Sequence, residues 1–165
     1  MSENKEEKII LTLKKLDAVL RHIENVRQAA ELLGRRLIEK GDIEFGIQLI
    51  INGRIHDLSK FDQYEREYLI GNEDKETLRL AIFKHRSQNK HHVEFWGTVD
   101  DMPRIYIAEL VCDLYARSAE MGTNLREYIK GQIEKWGIST SGKTYKTIKE
   151  FIDLLLDDTF VKLDK

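Results

Sequence analysis

The chain has 165 residues, 41% of them hydrophobic and 34% charged, with a formal net charge of −2. Such a chain is long enough to close one hydrophobic core, and its composition excludes an intrinsically disordered protein. The near-neutral balance excludes a strong non-specific grip on nucleic acid, which needs a dense positive surface, but leaves room for a local basic pocket for a small anion.

The first segment, from about Glu6 to Lys40, repeats apolar residues at spacings of three and four: Leu13, Leu16, Leu20, Ile23, Val26, Ala30, Leu33 and Leu37. It predicts one long helix, or two with a bend near Asp17 to Arg21. Its polar start, Met1 to Glu7, does not resemble a signal peptide. The run Ile9, Ile10, Leu11 is too short to span a membrane, so a cytoplasmic protein is expected. Gly41 and Asp42 end the segment, and a second helix covers Ile43 to Gly53 or beyond. Asp62 is placed to cap a short helix over Gln63 to Ile70, Gly71 and Asn72 make a turn, and a further helix runs from about Asp74 to Arg86. Ser87 to Lys90 form a polar link, His91 to Trp96 a short helical or irregular piece, and Gly97 to Met102 a loop.

Pro103, the only proline, suits the first turn of a helix that carries Ile107, Leu110, Val111, Leu114 and Ala119 and stops at Gly122. Thr123 or Asn124 caps another helix through about Lys135. Gly137 to Gly142 make a loop, and Lys143 to Leu156 form a last amphipathic helix with a frayed end. No sheet-forming alternation, repeat or low-complexity tract interrupts this pattern, and the fold class expected is all-α, a compact single domain over residues 1–165. Cys112 is the single cysteine, so no internal disulfide forms. Its setting, Glu109-Leu110-Val111-Cys112, predicts a buried small hydrophobe rather than a nucleophile and fits a reducing compartment.

Chemistry concentrates in the five histidines, His22, His56, His85, His91 and His92, with Asp57 directly after His56 and Asp113 amid apolar residues. A carboxylate on an apolar helix face is costly unless a cation or hydrogen-bond donors compensate it. Adjacent residues on a helix point about 100° apart, so both members of His56-Asp57, or of His91-His92, reach one metal only where the backbone skirts the site. Imidazole and carboxylate together suit Mn, Fe, Co, Ni or Zn, and the lack of a cysteine cluster argues against a structural zinc knot.

These residues resemble the HD-domain superfamily of metal-dependent phosphohydrolases, an all-helical family whose ligands run as His, His-Asp and a distal Asp. Here they stand as His22 in RHIENV, His56 and Asp57 in IHDLSKF, and Asp113 in ELVCDLY. The segments HDLSKF and FKHRSQNKHHVEFW resemble a bacterial and phage branch of small HD-like proteins, and the likeness covers roughly residues 20 to 120.

The resemblance implies one divalent transition-metal ion held by His22, His56, Asp57 and Asp113. In two-metal branches a second ion, bridged by Asp57, would be held by His85, His91 and His92, and one ion or two are both compatible with these residues. The glycine-rich tail of the cyclic-dinucleotide phosphodiesterases is replaced by VEFWGT, which argues against that activity. The implied reaction is hydrolysis of a small phosphorylated metabolite, above all a nucleotide, through metal-activated water. Asp57 or another carboxylate would orient the water. Lys60 would meet a phosphate or an acidic ligand, and Glu94 would donate a proton or hold a ligand histidine in its tautomer. Arg86 and Arg117 would clamp the phosphoryl group.

Trp96, with Phe95 and Phe61, would wall the pocket and stack on a base. Tyr64, Tyr68, Tyr106 and Tyr115 are read as either core or pocket, and Asn89 as a loop residue within reach of the ligand. Mono- and diester cleavage are equally compatible with these residues. A di-iron oxygenase of the same helical type and a metal-stabilised binding module without turnover are the rival readings, and a homodimer is compatible with the resemblance.

Overall fold

The computed structural model describes residues 3–70 and 74–157, and within them every regular element is helical. The elements are α1 (Glu3–Glu39), α2 (Ile43–Ile55), a 3₁₀ turn (Leu58–Phe61), α3 (Gln63–Leu69), α4 (Lys75–Gln88), α5 (Val93–Trp96), a second 3₁₀ turn (Val99–Asp101), α6 (Arg104–Glu120), α7 (Leu125–Lys135) and α8 (Lys143–Leu155). The all-α expectation is met in a single domain. No described helix is long and apolar enough to cross a membrane. The turn expected at Gly71 and Asn72 and the frayed end lie outside the described residues, as do the side chains of Tyr64 and Tyr68.

Helix α1 is one continuous helix of 37 residues, without the bend considered near Asp17 to Arg21. Nothing in that stretch breaks a helix, since it holds neither glycine nor proline. The polar link expected at Ser87 to Lys90 is shorter than its composition suggests, because α4 runs on through Gln88 and Asn89 closes it. Asp74 caps α4 by accepting from Thr77 N. Asn124 caps α7 by accepting from Arg126 N. Asp62 occupies the N-cap of α3 but its side chain makes no capping bond.

Helices α1 and α2 form an antiparallel hairpin whose backbones nearly touch. A Cβ placed on Gly46 would sit 2.4 Å from the Gly34 carbonyl oxygen, and one on Gly53 would sit 2.4 Å from the Ala30 Cβ. Glycine is therefore required at this crossing, and the pairing of residue 34 with 46 and of 30 with 53 sets the register of the hairpin. The same register carries the end of α2 down α1 toward His22.

Helix α6 is buried on most sides, through Ile107, Ala108, Leu110, Val111, Cys112, Leu114 and Ala116. It packs against α1, α2, α7 and α8. A helix apolar around its girth belongs at the centre of a bundle. The core joins its side chains to Val26, Ala30, Leu33 and Leu37 of α1 and to Ile148, Phe151 and Leu155 of α8. Buried Arg36 fastens α8 to α1 by donating to the Leu154 and Leu155 carbonyls, which a helix C-terminus otherwise leaves without partners.

Candidate metal centre

Three elements of this bundle meet at one point. Helix α1 delivers His22 from its middle, and α6 delivers Asp113. The hairpin brings in the end of α2, where the helix stops at Ile55. His56 is extended, and Asp57 turns into the left-handed region at φ 57° and ψ 13°. It is the one non-glycine residue with positive φ among those described. Such a conformation costs an L-residue roughly 1–2 kcal/mol, least for Asp and Asn. It lets two adjacent side chains face one site, as a continuing helix would not. The 3₁₀ turn that follows returns Lys60, whose ammonium lies 2.5 Å from Asp57 Oδ2. Of the two partners expected for Lys60, a phosphate or an acidic ligand, the structure shows the acidic one.

The last turn of α4 supplies His85, and the two residues before α5 supply His91 and His92. The structure thus gathers all seven expected ligand residues. The two halves of the cluster share Asp57. Its Oδ1 lies 3.0 Å from His85 Nε2 and 3.3 Å from His91 Nε2. Its Oδ2 lies 3.5 Å from His56 Nε2 and 3.8 Å from His22 Nε2. His22 Nε2 also approaches Asp113 Oδ1 to 3.1 Å. His92 packs against His91 and His85, with ring centroids 4.2 and 5.1 Å away.

Asp57, His85, His91 and His92 form one group able to hold a metal ion, and His22, His56 and Asp57 form another, with donor atoms within 4.8 Å of one another. Donors bound to one ion through bonds of about 2.1 Å stand roughly 3–3.5 Å apart, close to the 3.0–3.8 Å that separate the Nε2 atoms of His22, His56, His85 and His91 from the Asp57 oxygens. A further observation makes the fit specific. The Nε2 atoms of all five histidines, Asp57 Oδ1 and Asp113 Oδ1 are buried and gain no hydrogen bond of acceptable geometry. Buried polar atoms seldom remain unpaired, and seven of them facing one point fit cation ligation.

The opposite ring edges of four of the five histidines are met by three carboxylates that sequence reasoning passed over. His22 Nδ1 lies 3.0 Å from Glu120, His85 Nδ1 2.8 Å from Glu65, and His56 Nδ1 3.0 Å from Glu109. His91 Nδ1 lies 3.3 Å from the same Glu109 oxygen. These bonds fix the tautomer that directs Nε2 inward. The Nδ1 edges of His56 and His91 with Glu109 could also be read as a metal-holding group. Hydrogen-bond distances on that side and unpaired Nε2 atoms on the other favour positioning there and ligation toward Asp57. Glu109 and Glu120 were legible in one respect: they lie four residues before and seven after Asp113, on the same face of α6.

Electrostatics follow from burial. Burial alone would raise Asp57, yet the imidazoles of His56, His85 and His91 and the Lys60 ammonium hold it well below the usual carboxylate range. Glu109 is likewise raised by burial but brought down to about 2 by His56 and His91. Burial pushes Asp113 up, and His22 more than reverses it. Burial lowers His91, but Asp57 and Glu109 lift it to about 10. Burial and the neighbouring His91 charge drive His92 down to about 2. Asp57 and Glu109 thus favour the charged form of His91 in the metal-free protein, so ligation there competes with its proton.

A cavity of about 380 Å³ opens onto the cluster. His22, Asp57, His85, His92 and Asp113 line it, with Lys60, Arg86, Arg117 and Lys135 supplying positive charge and Val19, Ile82, Leu114, Tyr128 and Trp136 apolar wall. Arg86 pairs with Glu94 at 3.4 Å, and Arg117 with Glu120 at 3.1 Å. Glu94 is exposed on this wall and holds none of the histidines, because α5 turns it toward Arg86.

Trp96 does not line the cavity: its indole N–H is taken by the Lys90 carbonyl and its ring packs on Tyr106. Phe61 and Phe95 are also absent from the wall. Tyr106 and Tyr115 pack against the core. Asn89 donates to the His85 carbonyl rather than pointing to the cavity. Cys112 is buried, and burial pushes its thiol well up, as expected of a structural residue.

No curated protein and no solved structure matches the chain. A family model does, over residues 12–158, and the chain therefore belongs to that family, DUF5662, a family of unknown function.

Proposed function

We propose that the chain is a metal-dependent phosphohydrolase of the HD type that acts on a small phosphorylated metabolite, foremost a nucleotide. One observation carries the reading: seven unpaired buried ligand atoms converge at a cavity whose wall holds Lys60, Arg86, Arg117 and Lys135. A phosphoryl group needs that combination of cationic floor and basic wall.

The ions such a centre takes would be Mn, Fe, Co, Ni or Zn, and when bound they would lower the pKa of water and neutralise phosphate oxygens. The residues of the chain then have separable tasks. Asp57 offers one oxygen to each half of the centre, and Lys60 holds that carboxylate in place. Arg86 and Arg117 are each engaged through one nitrogen only, leaving guanidinium N–H groups to take phosphate oxygens. Tyr128 and Trp136, rather than Trp96, offer aromatic faces to a base. The same reading places the protein in the cytoplasm, where a lone buried Cys112 stays reduced.

The test is phosphate release from a panel of nucleoside monophosphates, cyclic nucleotides and sugar phosphates, using protein loaded in turn with Mn²⁺, Co²⁺, Fe²⁺ and Zn²⁺. Turnover that is abolished in Asp57→Asn is expected. Protein that holds its ions but cleaves none of these esters would remove the hydrolase reading, and oxygen uptake by the iron form would replace it with oxidative chemistry.

A further inference from the structure

The three carboxylates behind the histidines are not equivalent. Glu120 serves His22 alone, and Glu65 serves His85 alone. Glu109 serves two rings with one oxygen: Oε1 lies 3.0 Å from His56 Nδ1 and 3.3 Å from His91 Nδ1. Those rings belong to different halves of the centre, His56 beside Asp57 Oδ2 and His91 beside Asp57 Oδ1. They also face each other, with centroids 4.2 Å apart. The second oxygen of Glu109 accepts from Asn52 Nδ2 at 3.1 Å, and Asn52 in turn accepts from Gln48. The carboxylate is 5% exposed. It is thus held from α2 on one side and grips two imidazoles on the other.

We infer that Glu109 is a positioning residue that couples the two halves of the centre, so that filling one half presets the other. This rests on the two-ion reading of the site. An ion on His56 Nε2 fixes that ring and strengthens its Nδ1–H bond to Glu109. The same oxygen then has one place to be, and it presents His91 Nε2 to the second half without further loss of freedom. Coupling of this kind is reciprocal between the two halves. Glu65 and Glu120 lack the connection and act on one ring each.

The experiment is a titration of metal-stripped protein with Co²⁺ alone, followed by visible absorption and calorimetry, with circular dichroism to verify that helix content is kept. The variants are Glu109→Gln, Glu109→Asp, Glu65→Gln and Glu120→Gln. Wild-type protein is expected to take two ions in one steep phase. Glu109→Gln is expected to weaken both ions, each by roughly 10–100-fold as outer carboxylates do, and to flatten the isotherm. Glu109→Asp, which keeps the charge, restores part of both effects and serves if the glutamine variant does not fold. Glu65→Gln and Glu120→Gln each weaken directly only the ion on their own ring, touch the other only through the coupling, and keep an isotherm steeper than that of Glu109→Gln. A loss confined to one ion in Glu109→Gln, or an isotherm equally steep with and without Glu109, overturns the coupling. Wild-type protein that binds fewer than two ions instead overturns the two-ion reading on which it stands.

Discussion

Asp57→Asn separates the electrostatic role of this residue from its shape. Asparagine tolerates the left-handed backbone as aspartate does, so the turn at φ 57° is retained. The change removes the charge that faces His85 and His91 through Oδ1 and Lys60 through Oδ2. Lys60 is 9% exposed, and it is left with a neutral neighbour. Breaking a buried pair from one side costs about 3 kcal/mol, the lower end of what such changes do. For a chain of this size that is roughly 6–12 °C in Tm.

The metal contribution is larger and separable. Each ion at 100 times its Kd adds about 2.7 kcal/mol, so two add about 5 kcal/mol to the wild type and nothing to a variant that binds neither. Thermal unfolding of both proteins, with chelator and with Mn²⁺ or Zn²⁺, measures each part. The wild type is expected to gain more than 10 °C with metal, and Asp57→Asn to start lower and not respond. A variant that keeps the wild-type metal increment would refute the placement of Asp57 as the shared ligand.

Three further outcomes follow from the same geometry. His85→Ala and His22→Ala each remove a ligand from a different half, so plasma emission should count about one ion per chain in either and none in Asp57→Asn. In metal-stripped protein, Glu109, lowered from 4.5 to about 2, contributes stability that is complete above pH 4.5 and is lost as pH falls toward 2. His91, raised from 6.5 to about 10, contributes stability that is complete below pH 6.5 and is lost as pH rises through 10. His92, lowered from 6.5 to about 2, makes stability fall as pH drops below 6.5, so urea unfolding against pH should peak near pH 6.5 and decline on both sides. Metal should abolish the alkaline decline, with proton release near pH 7 measurable by calorimetry in buffers of differing ionisation enthalpy; a flat profile without metal would contradict these assignments. Gly46→Ala sets a methyl against the Gly34 carbonyl, which should cost about 1–3 kcal/mol and weaken metal binding as the hairpin opens. Unchanged Tm and metal affinity would show that the crossing has slack.

The helices were legible because their apolar periodicity is strong and their ends carry glycine, asparagine or aspartate, as at Asn124 and Gly122. The ligand residues were legible because His22 and Asp113 are chemically out of place on apolar faces. What escaped was local backbone and second neighbours. The second helix was expected to reach Gly53 or beyond, but the chain leaves it at His56, and no spacing rule encodes a left-handed aspartate. Glu109 stands in the same apolar run as Asp113, and its burial was not weighed there. Glu65 gave no signal at all, since it sits on a short polar helix and is buried where α4 brings His85 against it. Trp96 and Trp136 show the limit for aromatics: composition supplies two indoles, and tertiary packing alone decides which one meets the cavity.

The conformation of Asp57 sets folding and ligation against each other at a single position. Glycine there would relieve the backbone and remove a buried charge, and it would discard the one group that reaches both halves of the centre. A library selected for heat resistance without metal should therefore take glycine at residue 57 only together with loss of the buried Lys60 charge, while one selected in the presence of metal should hold aspartate.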